Sequence, residues 1–282
     1  MPGDRLVKER WSAWFGVLLA AAATHAGAQE PAAPPSISDN SFLMEEAYNQ
    51  EPGVVQHISA FQLFRGADSW AYSFTQEWPL FGRTHQLSYT LPIQRTHNGS
   101  AVATGLGDVA VNYRFQLAAA ERLSVAPRLS LLLPTGRAQS DLGAGALGVQ
   151  VNLPASVVVA RTVVTHWNAG GTVTPSAKNA VGDRATTVAC NVGASVVWLA
   201  RPTFNALLEI VWTREEAVTG PGRTAASDGL SISPGIRWAH NFSSGLQIVP
   251  GIAFPIGVGP SAGDDAVLLY LSFEHHFRSR SH

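Results

Sequence analysis

Residues 264–277 read DDAVLLYLSFEHHF. Val267, Leu269, Leu271, Phe273, His275 and Phe277 fall on one side of an extended chain, and Leu268, Tyr270, Ser272, Glu274 and His276 on the other. Side chains alternate faces along a β-strand, so this segment has one largely apolar face and one mixed face. The apolar face ends on an aromatic residue close to the C-terminus, as the last strand of a bacterial outer-membrane barrel does. The rest of the chain is read outward from that strand.

Eleven further strands precede it, ten of them marked by clear period-two alternation. Trp70, Tyr72, Phe74 and Trp78 oppose Ala71, Ser73, Thr75 and Glu77; Leu129 and Leu131 oppose Arg128 and Ser130. Phe204, Ala206, Leu208, Ile210 and Trp212 oppose Asn205, Glu209 and Thr213; Leu230, Ile232, Ile236 and Trp238 oppose Ser231, Ser233 and Arg237. The first strand, Val54 to Arg65, shows no clear division of faces. The expected fold is all-β, a transmembrane antiparallel barrel of about twelve strands over residues 54–277. Eight strands leave an interior that side chains can fill, whereas twelve leave a lumen. The second face, rich in Ser, Asn, Gln and Gly, suits a wet lining better than a packed core, so the apolar face is expected to meet lipid.

Composition agrees. Hydrophobic residues make up 46% of the chain and charged residues 14%, against about 25% charged in soluble domains. No stretch after the first thirty residues is long and apolar enough for a membrane helix. Arg5, Lys8 and Arg10, the apolar run from Trp11 to Ala26, and Ala26-Gly27-Ala28 read as a signal peptide over residues 1–28. Residues 29–53 are expected to be a periplasmic segment or a small plug, with Ser41 capping a short helical turn that carries Phe42, Leu43 and Met44. Residues 278–282 form a tail. The net charge of −1 gives no ground for a nucleic-acid partner, and Cys190, the one cysteine, reads as a small strand residue.

Loop lengths orient the barrel. Long polar connections are expected at Thr96–Leu106, Pro134–Ala144, Pro175–Arg184, Arg214–Asp228 and Gly257–Asp264, with short turns at the other end. Outer-membrane barrels carry long loops outside and short turns in the periplasm, which puts both termini in the periplasm. Trp70 and Trp212 then fall near the outer rim and Trp78, Trp198 and Trp238 near the periplasmic rim, where aromatic girdles lie.

Several motifs resemble one family. Residues 46–57 (EAYNQEPGVVQH), 74–79 (FTQEWP), 85–89 (HQLSY), 105–108 (GLGD), 133–136 (LPTG) and 168–170 (NAG) resemble the phenol meta-pathway outer-membrane proteins. That resemblance spans nearly the whole mature chain and implies an outer-membrane transporter. It carries over no catalytic residue.

Other motifs fare less well. Residues 143–148 (GAGALG) match a dinucleotide fingerprint by letters, yet a strand follows where a helix is required, and the acidic residue is missing. His275 and His276 point to opposite faces and cannot share a metal from one side. His166 could join a serine and an acid across the lumen as a lipid hydrolase would. The inward charges Asp108, Arg114, Arg128, Glu209, Arg237 and Glu274 are the candidate lumen-lining residues, serving either as a stiffening network or as a constriction that selects solutes by charge. The expected function is a passive outer-membrane channel for small molecules, hydrophobic or aromatic ones among them, with no enzyme activity, cofactor or metal. Its partners are outer-membrane lipid, the barrel assembly machinery and a small solute. A membrane-embedded lipid hydrolase and a closed structural barrel are the alternatives.

Overall fold

The computed structural model describes residues 41–66, 68–98, 101–242 and 246–276. The expected signal peptide, the start of the linker, Phe277 and the tail lie outside these. Twelve strands follow one another as an antiparallel meander. They are β1 (Val54–Phe64), β2 (Ser69–Leu80), β3 (His85–Asn98), β4 (Ala101–Leu106, Val109–Phe115 and Ala118–Ala119), β5 (Leu123–Val125 and Arg128–Leu133) and β6 (Gly148–Ala160). Then come β7 (Val163–Lys178), β8 (Arg184–Arg201), β9 (Phe204–Gly220), β10 (Arg223–Trp238, with His240–Asn241), β11 (Gln247–Ala253 and Ile256–Gly257) and β12 (Ala266–His276). The sheet closes on itself: β12 pairs β1 antiparallel along its whole length, from Val54↔His276 to Phe64↔Ala266. Closure gives each described strand a partner on both sides, which a sheet in lipid requires.

The faces sort as alternation predicts. On β9 Leu208 is 52% exposed and its neighbour Glu209 is 0% exposed, and the same contrast separates Leu271 from Ser272 on β12. Apolar side chains therefore point out of the barrel and polar ones into it, the reverse of a soluble sandwich. Trp167, at mid-strand, also faces outward. Inward apolar residues blurred the pattern of β1: Ile58 packs toward an interior apolar cluster of Ala253, Leu268 and Tyr270, and Val164, Val197, Leu207 and Val249 are buried apolar residues on other strands.

Three expected loops are wholly or partly strand. Residues of Thr96–Leu106 pair as the β3–β4 hairpin, Pro175–Arg184 is largely the β7–β8 hairpin, and Arg214–Asp228 is the β9–β10 hairpin. Beyond the hydrocarbon layer the outer face turns polar, as at Arg214 and Asp228, so the hydrophobic alternation fades while the ladder continues. The 18 residues of β8 exceed the roughly 9–11 that cross a bilayer. True loops remain at residues 134–147 and 258–265, each with one short 3-10 turn. The opposite end, where β1 begins and β12 ends, carries short links between β2 and β3, β6 and β7, and β8 and β9.

Candidate functional site: the lumen and the segment inside it

Residues 41–53 run as irregular chain against the inner wall. From the β1 end inward, Gln50 N donates to Gln86 Oε1 at 2.7 Å and Asn49 N to Gln116 Oε1 at 3.0 Å. Ala47 N then donates to Ser156 Oγ at 2.8 Å, Glu45 N to Asn168 Oδ1 at 2.9 Å, and Leu43 N and Met44 N to Glu209 Oε1 at 2.9 and 3.0 Å. Ser41 Oγ meets Ser195 Oγ at 3.0 Å. The expected helical turn at Ser41 does not form, because the backbone donors such a turn would leave for its cap are taken by the Glu209 carboxylate. Buried N–H groups demand partners, and here wall side chains supply them.

The wall is shaped to receive the segment. A Cβ built on Gly193 would lie 2.6 Å from Met44 Sδ, and one built on Gly235 would lie 2.6 Å from Phe42 Cε2. Phe42 also stands edge-on to Tyr270, ring centroids 5.3 Å apart. Three glycines on three strands thus make room for two large side chains of the segment, Gly251 being the third.

Charges fasten what the glycines admit. Glu45 Oε1 is 2.7 Å from Arg128 Nη2 and accepts from Asn152 Nδ2 at 2.9 Å. Glu46 Oε1 lies 3.3 Å from Arg237 Nη2 and 3.7 Å from His166 Nε2. Arg114 donates to three acceptors on the segment: Asn49 Oδ1 at 2.9 Å, Glu46 O at 3.3 Å and Tyr48 O at 2.8 Å. The Tyr48 hydroxyl is pushed up to about 12, first by burial and then by the Glu46 carboxylate, so it stays neutral beside these charges.

Four of the six candidate residues, Arg114, Arg128, Glu209 and Arg237, therefore touch this segment. Asp108 does not: its carboxylate accepts from Gly136 N at 2.9 Å and Ala144 N at 2.7 Å, pinning the loop over residues 134–147. That loop leans inward, with Leu142 buried. Its glycines serve the same contact, since a Cβ on Gly143 would fall 2.3 Å from Asp108 Oδ1. Glu274 sits on β12 opposite Gln56 of β1 and Gln247 of β11. Sequence reading passed over Glu45, Glu46 and Glu77. The first two lie outside the strand pattern, and Glu77 was visible on the polar side of β2.

His166 does meet a serine and an acid. Its Nδ1 is 2.8 Å from Ser156 Oγ, and Glu46 lies on its other nitrogen. The serine is 0% exposed, faces away from lipid and accepts the Ala47 N–H. This trio anchors the segment. Among the described residues no group of three or more His, Cys, Asp or Glu is placed to hold a metal ion.

Beside the segment a cavity of about 180 Å³ remains against β1 to β5. Phe42, Ile58 and Tyr270 give it an apolar corner, and Glu77, Arg114 and Arg128 a charged one.

No protein-family model matches the sequence, and no curated protein does. Among solved structures the chain is similar to an outer membrane channel from Pseudomonas putida F1, with a TM-score of 0.59 and 10% identity over 82% of this chain and 98% of that one. It is also similar to the NanC porin, with a TM-score of 0.51 and 8% identity over 80% of this chain and 100% of that one. At these identities the likeness is one of fold, and it reaches the outer-membrane barrels as a class without reaching the phenol meta-pathway proteins in particular. The chain has the closed twelve-stranded antiparallel barrel of the outer-membrane porins and channels.

Proposed function

We propose that the protein is a passive outer-membrane channel narrowed from within by residues 41–53, with both ends of the chain on the periplasmic side. The observation that carries this reading is how the segment is held. Its contacts go to wall side chains such as Glu209, Asn168 and Ser156, and among the described residues no strand of the barrel pairs with it. It can therefore leave without unpairing the wall. Twelve strands with a polar inner face then enclose a water-filled path. Short links at the β1 end and two long loops at the other support the orientation.

The solutes that suit the lumen are small and amphipathic, aromatic ones among them. The cavity sets an aromatic pair, Phe42 and Tyr270, against charged Glu77, Arg114 and Arg128, and the resemblance to phenol meta-pathway proteins points the same way. The test is conductance in planar bilayers and liposome swelling with phenyl glucoside, for the mature chain and for a variant lacking Ser41–Gln50. The intact chain should conduct little or intermittently, and the variant strongly, with phenyl glucoside uptake. A folded variant that neither conducts nor swells would leave a closed structural barrel.

A further inference from the structure

The grip on Glu45 has an unused half. Asn152 Nδ2 donates to Oε1 of Glu45, and Arg128 Nη2 lies 2.7 Å from the same oxygen. Arg128 Nη1 and Nη2 also hold Asn112 Oδ1 at 3.1 Å and Gln150 Oε1 at 2.8 Å, which fix the guanidinium in place. Its Nε is buried and has no hydrogen-bond partner among the described residues. A guanidinium presents Nε–H and Nη–H along one edge, spaced to take both oxygens of a carboxylate. Glu45, whose backbone N–H and carbonyl are tethered to the Asn168 side chain at 2.9 Å each, lies against Nη2 and leaves Nε unmet. Across the same cavity Glu77 Oε2 is also buried without a hydrogen-bond partner among the described residues, although Arg114 lies 3.7 Å away.

We propose that the Arg128–Asn152 corner of the lumen is a binding site for small organic carboxylates, which Glu45 fills as an internal stand-in. A free carboxylate can turn to meet Nε and Nη2 together, which the tethered side chain does not. A solute carrying a ring places it toward Phe42 and Tyr270, which line the same cavity. The inference narrows the solute class of the channel reading and rests on that reading for its role in passage. The site itself stands on the contacts alone.

The test is calorimetric titration of the detergent-solubilised mature protein with benzoate, and with benzamide as its uncharged counterpart. If Glu45 vacates the corner about a tenth of the time, removing it raises apparent benzoate affinity about tenfold. Glu45→Ala should show that gain, and Glu45→Gln a smaller one; the second variant keeps the test alive should the first fail to fold. Arg128→Gln should lose the preference for benzoate over benzamide. Equal or weaker benzoate binding in both Glu45 variants, or benzamide binding as well as benzoate, would overturn the site. Conductance without any carboxylate preference would keep the channel and reject this inference, while tight benzoate binding by a barrel that never conducts would do the reverse.

Discussion

Gly251 lies directly under the ring of Phe42, so close that a Cβ on it would sit 2.6 Å from Cε1 and Cζ. No methyl group fits in that space, so the inner wall and the segment are matched in shape at this point. Gly251→Ala should push Phe42 out of its seat at a cost of about 1–3 kcal/mol, the usual range for overpacking. The barrel, whose ladder is untouched, should still migrate as a folded, heat-modifiable band. Protease cleavage between residues 41 and 53 and open-channel current should both rise. Unchanged protection would show that Phe42 does not hold the segment.

Arg114 holds the segment by its backbone, and Arg237 by the Glu46 carboxylate. Arg114→Ala should release the stretch around Tyr48 and change ion preference while the barrel stays folded. Glu46→Gln is expected to be harsher, because it strips a buried carboxylate from Arg237 and His166. Breaking one side of a buried pair costs about 3–5 kcal/mol. Reversal potentials in planar bilayers read the first and urea unfolding followed by heat-modifiable mobility the second; a Glu46→Gln protein as stable as the parent would mean that water already reaches Arg237.

The outward face should reject charge. Arg at Leu208 or Ile232 is expected to cost about 2–4 kcal/mol near the bilayer midplane. Inward neighbours are not uniformly milder, since Leu207 is 5% exposed and Ser233 0% exposed, leaving no space for a guanidinium. The milder control is Ser73→Arg, whose side chain opens on the cavity. Equal penalties at Leu208 and Ser73 would contradict a lipid-facing surface.

What the sequence made legible follows from what repeats. Eleven of the twelve strands announce themselves because lipid demands an apolar residue at every second position, and Leu208 beside Glu209 shows the rule at full strength. The hairpins above the membrane escaped because water on both faces removes that demand. A small plug was one of the two expectations for the interior segment, but its seat on the wall escaped for another reason. Met44 meets Gly193, and Leu43 meets Glu209 across a separation of 166 residues, and no local pattern marks such a partnership. A glycine that receives an aromatic ring reads, in sequence, like any small residue of a wet lining. Candidate charges were found on the strands because they interrupt a polar face. Glu45 and Glu46, which answer them, lie in a stretch with no period at all.

The barrel depends on its seam. Each residue of β1 has a partner on β12, and Gln247 to Ala253 of β11 pair its other side. Outside the barrel the His57 ring stacks between Phe273 and His275, with centroids 4.5 and 5.1 Å away, so rings reinforce the ladder where the sheet closes. Deleting Leu271 to Phe277 would strip the partners of Val54 to Ser59 and of Gln247 to Pro250. It would leave unpaired backbone groups on both sides of the gap, each costing several kcal/mol where no water can reach. Such a chain should fail to assemble, and loss of any single loop should be better tolerated. Removal of Arg278 to His282 alone should be harmless, because those residues follow the alternating pattern and carry two arginines unsuited to lipid. Membrane fractionation with surface protease protection compares the two. A chain lacking only the five-residue tail that no longer reaches the membrane would place the end of the barrel beyond Phe277.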